Sequence, residues 1–377
     1  MNRLVIVGNG FDLAHELETK YEHFLKDYLI KHIKKSLEND DFSFDELIKV
    51  RAINGYTISG ENTMGYVSKI TIENMIESQY IKWTWRHKRN IRNDNIDPNK
   101  VYIEIELQSK LLSSLIGESK WTDIEKTYFD ELLEAFKKRN DEGVGKSFKI
   151  EKLNNDFKLL RTKIIEYLKI IDKPITNYFD YRGGLFKSVK NPETEYLKKY
   201  FGKENDIETT KLDNLFFINF NYTRLLRHSI KQIKQRNPDI NVKYFPIHGS
   251  LNNPENIIFG YGDDSNKHYQ DLEDEDNNEY LKNIKSFYYP NESHYIDLIN
   301  ALYEQEYDVF VFGHSLGLSD RVLLKTIFEH KNCKAIKLFH RGSKESQFSK
   351  RIALSRHFTD KIKMRSKIVD YSDEDII

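Results

Sequence analysis

Four short segments carry residue types suited to chemistry at sugars and phosphates. They are Gly8-Asn9-Gly10-Phe11-Asp12, Asn219-Phe220-Asn221-Tyr222-Thr223, His248-Gly249-Ser250 and Gly313-His314-Ser315-Leu316-Gly317-Leu318-Ser319-Asp320. Glycine lets backbone approach a phosphate, Asn and Asp hydrogen-bond ribose hydroxyls, and a histidine moves a proton near neutral pH. Each segment follows a run with strand character. In an open α/β sheet the carboxyl ends of the strands share one crevice, where ligands bind. Turn formation alone accounts for Asn and Gly at one or two strand ends, and less easily at four.

The elements that must hold these residues are short. Residues 4–7, 215–218, 242–247, 257–259, 309–312 and 335–339 read as strands, and Leu13 to Leu29 as a helix after the first glycine turn. From about 30 to 200, Lys, Glu, Leu, Ile and aromatics recur at helical spacing, as in Phe129, Leu132, Leu133 and Phe136. That stretch reads as mostly helical, with loops near 54–65, 90–100 and 140–147. The acidic run Asp271 to Glu279 reads as a solvated loop. Strands at both ends and helices between them predict an α/β protein with a Rossmann-like, mostly parallel sheet. Its core is expected in residues 1–30 and 205–365, with a large helical insertion at 31–204.

Composition removes several classes. The 377 residues hold 59 basic and 59 acidic side chains, so the formal net charge is +0. That balance argues against a surface that is wholly a nucleic-acid or membrane footprint. Aromatics at 13% supply enough bulk for a packed core. The single cysteine, Cys333, rules out an intramolecular disulfide, a zinc site of paired thiolates and a four-cysteine iron–sulfur cluster. No apolar run approaches the ~20 residues of a membrane span. A soluble cytoplasmic protein without a metal is the expectation.

Several motifs mislead. Gly143-Val144-Gly145-Lys146-Ser147 has Asn140 where a P-loop needs its first glycine. Gly8-Asn9-Gly10 has Leu13 where a dinucleotide fingerprint needs its third glycine. Gly313-His314-Ser315-Leu316-Gly317 fits the nucleophile elbow of serine hydrolases. The hydrolase sheet needs further strands to carry the acid and then the histidine, and the 60 residues after Gly317 (377 − 317) hold one convincing strand. Lys82-Trp83-Thr84-Trp85-Arg86-His87-Lys88-Arg89 interleaves aromatic and basic residues, but the bland reading is an exposed segment packed by its aromatics. Thr122 to Glu125 is a capping box.

The opening Leu4-Val5-Ile6-Val7-Gly8-Asn9-Gly10-Phe11-Asp12-Leu13-Ala14-His15, with Tyr21 and Phe24 after it, resembles the AbiH family of bacterial phage abortive-infection proteins. So do Phe220-Asn221-Tyr222-Thr223, His248-Gly249 and the glycine-histidine-serine segment at 313–320. That family in turn looks like a distant relative of SIR2-like domains, whose NAD pocket is built from such segments. The resemblance implies Gly8-Asn9-Gly10 as the first glycine turn, Asn221 as the residue orienting ribose and water, and His248 as the catalytic histidine. Thr223 departs from the pattern, standing where SIR2-like domains usually carry Asp, and the sirtuin zinc module is absent.

Together these readings give an expectation: a phage-defence effector that binds NAD or a related nucleotide and hydrolyses its nicotinamide–ribose bond. His248, Asn221 and Asp12 are the expected catalytic residues. Gly8, Asn9, Gly10, Phe11, Asn219, Thr223, Gly249, Gly313, His314, Ser315 and Asp320 are expected to line the nucleotide site. Asp12 has a competing reading as a helix cap. Alternatives are a nucleotide sensor acting through a partner protein, a serine hydrolase using Ser315, and a nucleic-acid-acting toxin. A phage trigger and a homo-oligomer stay open.

Overall fold

Asn2–Val7 is fully buried on both faces, the environment that a continuous apolar, β-branched run calls for. In the computed structural model it is the central strand of the main sheet. The structure describes residues 1–38, 42–54, 81–85, 101–116, 121–139, 146–172, 185, 193–202, 212–262, 264, 266–291, 293–340, 342–370, 372 and 375. The strands, in chain order, are β1 (Asn2–Val7), β2 (Phe42–Phe44), β3 (Ile48–Asn54), β4 (Ile81–Trp85), β5 (Val101–Leu107), β6 (Asn214–Asn219), β7 (Asn241–Pro246), β8 (Tyr307–Phe312) and β9 (Cys333–Leu338).

The chain divides into two compact units, Met1–Thr19 with Leu168–Ile377, and Lys20–Tyr167. The first holds a five-stranded sheet in the order β7-β6-β1-β8-β9, with every pair parallel. The chain runs outward from β1 through β6 to β7, then returns to the other side of β1 with β8 and β9. This is the doubly wound order of a Rossmann-like α/β fold, and its direction reverses between β1 and β8. Alternation along β1 sends Leu4 and Ile6 into one core, with Phe216, Ile218, Val309 and Val311, and Val5 and Val7 into the other, with Leu215, Phe217, Phe310 and Phe312. At the opposite end, Arg3 of β1 donates through Nε and Nη2 to its register partner Asp308 of β8, at 2.9 and 2.8 Å. No helix among the described residues is long and apolar enough to cross a membrane.

The second unit departs from the expectation for 31–204, which was mostly helices joined by loops. It contains a four-stranded sheet in the order β2-β3-β5-β4. The cause is visible in β5, where Val101-Tyr102-Ile103-Glu104-Ile105-Glu106-Leu107 alternates apolar and polar residues with the period of a strand. The unit also begins earlier, at Lys20, because helix Tyr21–Glu38 packs on β2 and β3. The expected helix Leu13–Leu29 is two helices, Asn9–Ala14 and Tyr21–Glu38, separated by a turn in which Glu16 takes φ 63°. Residues 257–259 form no strand; they are buried and extended, joined to His248 by one bond, from Ile258 N–H to its carbonyl at 3.0 Å. Part of the acidic run is helical, as Tyr269–Glu273. Helix Trp121–Lys137 begins one residue before Thr122, the expected cap. Residues 86–89 of the basic-aromatic segment and 143–145 of the P-loop-like segment lie outside the described residues.

Candidate functional site

The sheet register brings the four segments to one line. Val7 pairs with Asn219 and with Phe312, and Asn219 pairs with Pro246. Gly8, Phe220, Ile247 and Gly313 are therefore the first residues past a common edge. That edge includes the β1–β8 switch point, where doubly wound sheets bind their ligands.

On one side of it lies Asp12, only 1% exposed, inside helix Asn9–Ala14. Its carboxylate does not cap that helix, whose cap position is Gly8 with no side-chain bond. Instead Thr223 Oγ1 donates to Oδ2 at 2.8 Å and Asn221 Nδ2 donates to Oδ1 at 3.0 Å. The same Asn221 amide donates to the Gly8 carbonyl at 3.1 Å. Asn219 braces this arrangement: its Oδ1 accepts from Asn221 N–H at 3.2 Å, and its Nδ2 donates to Asn221 O at 2.9 Å and to Tyr244 Oη at 2.8 Å. The turn after Thr223 is clamped by Arg224, which donates from N–H and Nε to Asp172 at 3.1 and 2.8 Å. Burial pushes the Asp12 carboxyl up to about 7; its bonds to Thr223 and Asn221 pull the other way, and the Asp172 charge adds to the rise. A carboxyl near 7 gives and takes protons at physiological pH.

On the other side lies a second buried carboxylate, Asp320. His248 Nε2 is 3.1 Å from its Oδ1, His314 Nε2 is 3.5 Å from its Oδ2, and Lys285 Nζ donates to Oδ1 at 2.8 Å. His314 Nδ1 accepts from Leu316 N–H at 3.0 Å, which places its proton on Nε2, toward Asp320. Burial opposes ionisation of Asp320, but the Lys285 charge and the two imidazoles hold it well below the usual carboxylate range. Burial takes the His248 imidazole down to about 4, with the Lys285 charge adding to the fall and Asp320 opposing it. His248 is therefore an uncharged base. Its Nε2 is out of line for a hydrogen bond to Asp320 and makes no other. Phe220 touches both imidazoles, in T-shaped contact with His248 at 5.1 Å and with His314 at 4.3 Å between ring centroids.

The family model for bacteriophage abortive infection AbiH matches residues 4–341. The chain belongs to the AbiH family. That places this protein in abortive-infection defence against bacteriophage. No curated protein and no solved structure matches the chain.

The matched stretch of this AbiH chain contains all four segments, and Gly8, Gly10, Gly249 and Gly313 serve close packing of the protein on itself. A side chain on Gly8 would lie 2.6 Å from His314 Cα, and one on Gly10 would lie 2.7 Å from Gly313 Cα. Gly313, at φ +64°, likewise leaves no room for a side chain beside Phe11 N. Gly10 N–H donates to Gly313 O at 2.8 Å, and Phe11 N–H to Gly8 O at 2.8 Å. These donors are engaged by protein. Gly249, at φ +77°, turns the chain after His248 against the Asn256 carbonyl, 2.5 Å from where a side chain would begin. Phe11 is a core residue packed beside Val5 and Val7, and its carbonyl bonds His15 Nδ1 at 2.9 Å. Asn9 Nδ2 donates to Thr19 O at 3.1 Å.

Ser315 stands apart. It is exposed and makes no hydrogen bond among the described residues. Gly313 and Leu316 take the positive φ values of this turn, 64° and 57°, and the serine does not, whereas in a nucleophile elbow the serine sits at the strained position. One strand, β9, follows it in the sheet. Ser315→Ala is expected to leave phage protection within about twofold of the parent, and a fluorophosphonate probe to leave Ser315 unlabelled; strong labelling there would reinstate the hydrolase reading. Sequence reasoning missed Lys285, which lies in a 3-10 turn, Lys285–Phe287, outside every motif. It also gave no role to Phe220, quoted only within its segment, or to Tyr244, which lies in the strand run 242–247.

Proposed function

We propose that this AbiH protein is an abortive-infection effector that binds NAD or a related nucleotide at the carboxyl ends of β1, β6, β7 and β8 and hydrolyses its nicotinamide–ribose bond. The observation that carries the reading is the Asp12 carboxyl. It is buried beside the switch point, oriented by Asn221 and Thr223, and poised near neutral pH. In the reaction the N-glycosidic bond breaks toward an oxocarbenium-like ribose, and its electron pair leaves with nicotinamide, which departs uncharged. Water attacks the anomeric carbon, and its proton passes to a base. The products are nicotinamide, ADP-ribose and one proton.

Asn221 holds Asp12 and would align ribose hydroxyls. His248 is the uncharged base, its Nε2 3.1 Å from Asp320 Oδ1 without a hydrogen bond between them, and would take the proton of the attacking water. The SIR2-like relationship supports these roles by analogy alone. A second reading, nucleotide binding without turnover, draws on the misalignment of His248 with Asp320. Incubation of the purified protein with NAD separates the two. Release of free nicotinamide at a rate proportional to protein is expected. A thermal shift with NAD but no nicotinamide would favour binding alone, and neither response would sink both readings.

A further inference from the structure

Lys285 is 1% exposed, although nothing in its local sequence marks it. Its position is built from several sides. Its N–H donates to Tyr261 O at 2.9 Å. Gly262 makes room for its stem, since a side chain there would lie 3.3 Å from Lys285 Cβ. Its ammonium ends 2.8 Å from Asp320 Oδ1, where a cation attracted by this carboxylate would sit. His248 Nε2 faces that same oxygen at 3.1 Å. Two donors thus converge on one acceptor. The lysine makes the hydrogen bond and the imidazole does not.

We propose that Lys285 is a positioning residue of this site: by occupying the Asp320 oxygen that faces His248, it keeps the imidazole in its basic form and outside a closed ion pair. The proposal rests on the reading of His248 as the base and adds the device that keeps it one. Without the lysine, a buried carboxylate beside an imidazole would draw a proton onto the ring, since an opposite charge in contact favours the charged form. A protonated His248 locked on Asp320 could accept nothing. The groups facing His248 are Asp320, Lys285 and His314, with the Tyr222 ring stacked at 6.2 Å. His357, in turn, interacts electrostatically with His314, Asp320 and Arg321. The positive charge of Lys285 acts directly on His248.

The test is an NMR titration of His248 in the full-length protein, its signal assigned by comparison with His248→Gln. In Lys285→Met the midpoint is expected to rise by about one pH unit or more. Lys285→Arg, which keeps the charge, is expected to hold the parental midpoint. Thermal unfolding gives a second readout. His248 lies below its ordinary 6.5 in the folded parent, at about 4. Its contribution is therefore complete above 6.5 and is lost as pH falls toward 4, because the unfolded chain takes up that proton first. Lys285→Met is expected to lose less over that window. Lys285→Gln, neutral but still a donor to Oδ1, serves if the Met variant does not fold. A midpoint within about 0.3 unit of the parent overturns the proposal. So does failure of both neutral variants to fold between about pH 5 and 8, which would make the lysine a structural ion pair. No substrate is needed. A shifted midpoint in a protein that releases no nicotinamide sustains the role of Lys285 and removes the reaction; an unshifted midpoint in a protein that does release it does the reverse.

Discussion

Asp12→Asn is expected to abolish nicotinamide release and phage protection while leaving the fold intact, with a rate loss of about 10²–10⁴-fold. The amide is nearly isosteric. Its carbonyl accepts from Asn221, and its amino group donates to the Thr223 hydroxyl, so both contacts at 3.0 and 2.8 Å survive. What disappears is a proton that exchanges near pH 7. The linkage has a definite sign. In the folded chain the carboxyl lies at about 7, above its ordinary 3.8. Between those two values the folded state holds a proton that the unfolded state has released. Stability from this group is therefore present at low pH and lost as pH rises through 7. The parent should lose stability across that window, by on the order of 1.4 kcal/mol per pH unit, and the variant should not. At pH 8 the inactive variant should melt higher than the active parent. A functional variant with unchanged melting would return Asp12 to a purely structural role.

How much of this was legible in the sequence follows the physics of each element. The central strands announce themselves because burial on both faces demands uninterrupted apolar runs, as in Leu4-Val5-Ile6-Val7 and Val309-Phe310-Val311-Phe312. The order of those strands was not legible, since no local pattern says that β8 returns to the far side of β1. In the second unit, β5 carries a clean alternation, but it lies in a long stretch where Lys, Glu, Leu, Ile and aromatics recur at helical spacing.

The site divides the same way. The types and spacing of Asp12, Asn221, Thr223, His248 and Asp320 pointed to one edge, because strand ends must converge. The glycines pointed there too, but a glycine says only that something comes close. Here that something is the neighbouring turn, at Gly10 and Gly313. Lys285 was invisible for a different reason. A buried ammonium is defined by its partner, and Asp320 lies 35 residues away in sequence.

The converse prediction to Asp12 concerns His248. His248→Gln is expected to fold, to lose protection against phage, and to release nicotinamide about 10²–10⁴-fold more slowly. Folding is expected because the charge of Asp320 remains balanced by Lys285 at 2.8 Å, so no uncompensated buried carboxylate is created. Packing changes little, since glutamine occupies much of the imidazole's place beside Phe220. Glutamine also bonds where the imidazole does not, with an amide that can reach Asp320. Its melting temperature should therefore equal or exceed the parent's. What glutamine lacks is a nitrogen lone pair able to take a proton. The two variants then separate two roles. If Asp12 alone serves as the base, Asp12→Asn is inactive and His248→Gln retains most of the rate. If both act on the same proton path, each single change is as damaging as the pair, the non-additivity of residues that work as one unit. The expected result is the second, because both groups flank the line set by Val7, Asn219 and Phe312. A His248→Gln protein that protects as well as the parent would remove the histidine from the mechanism.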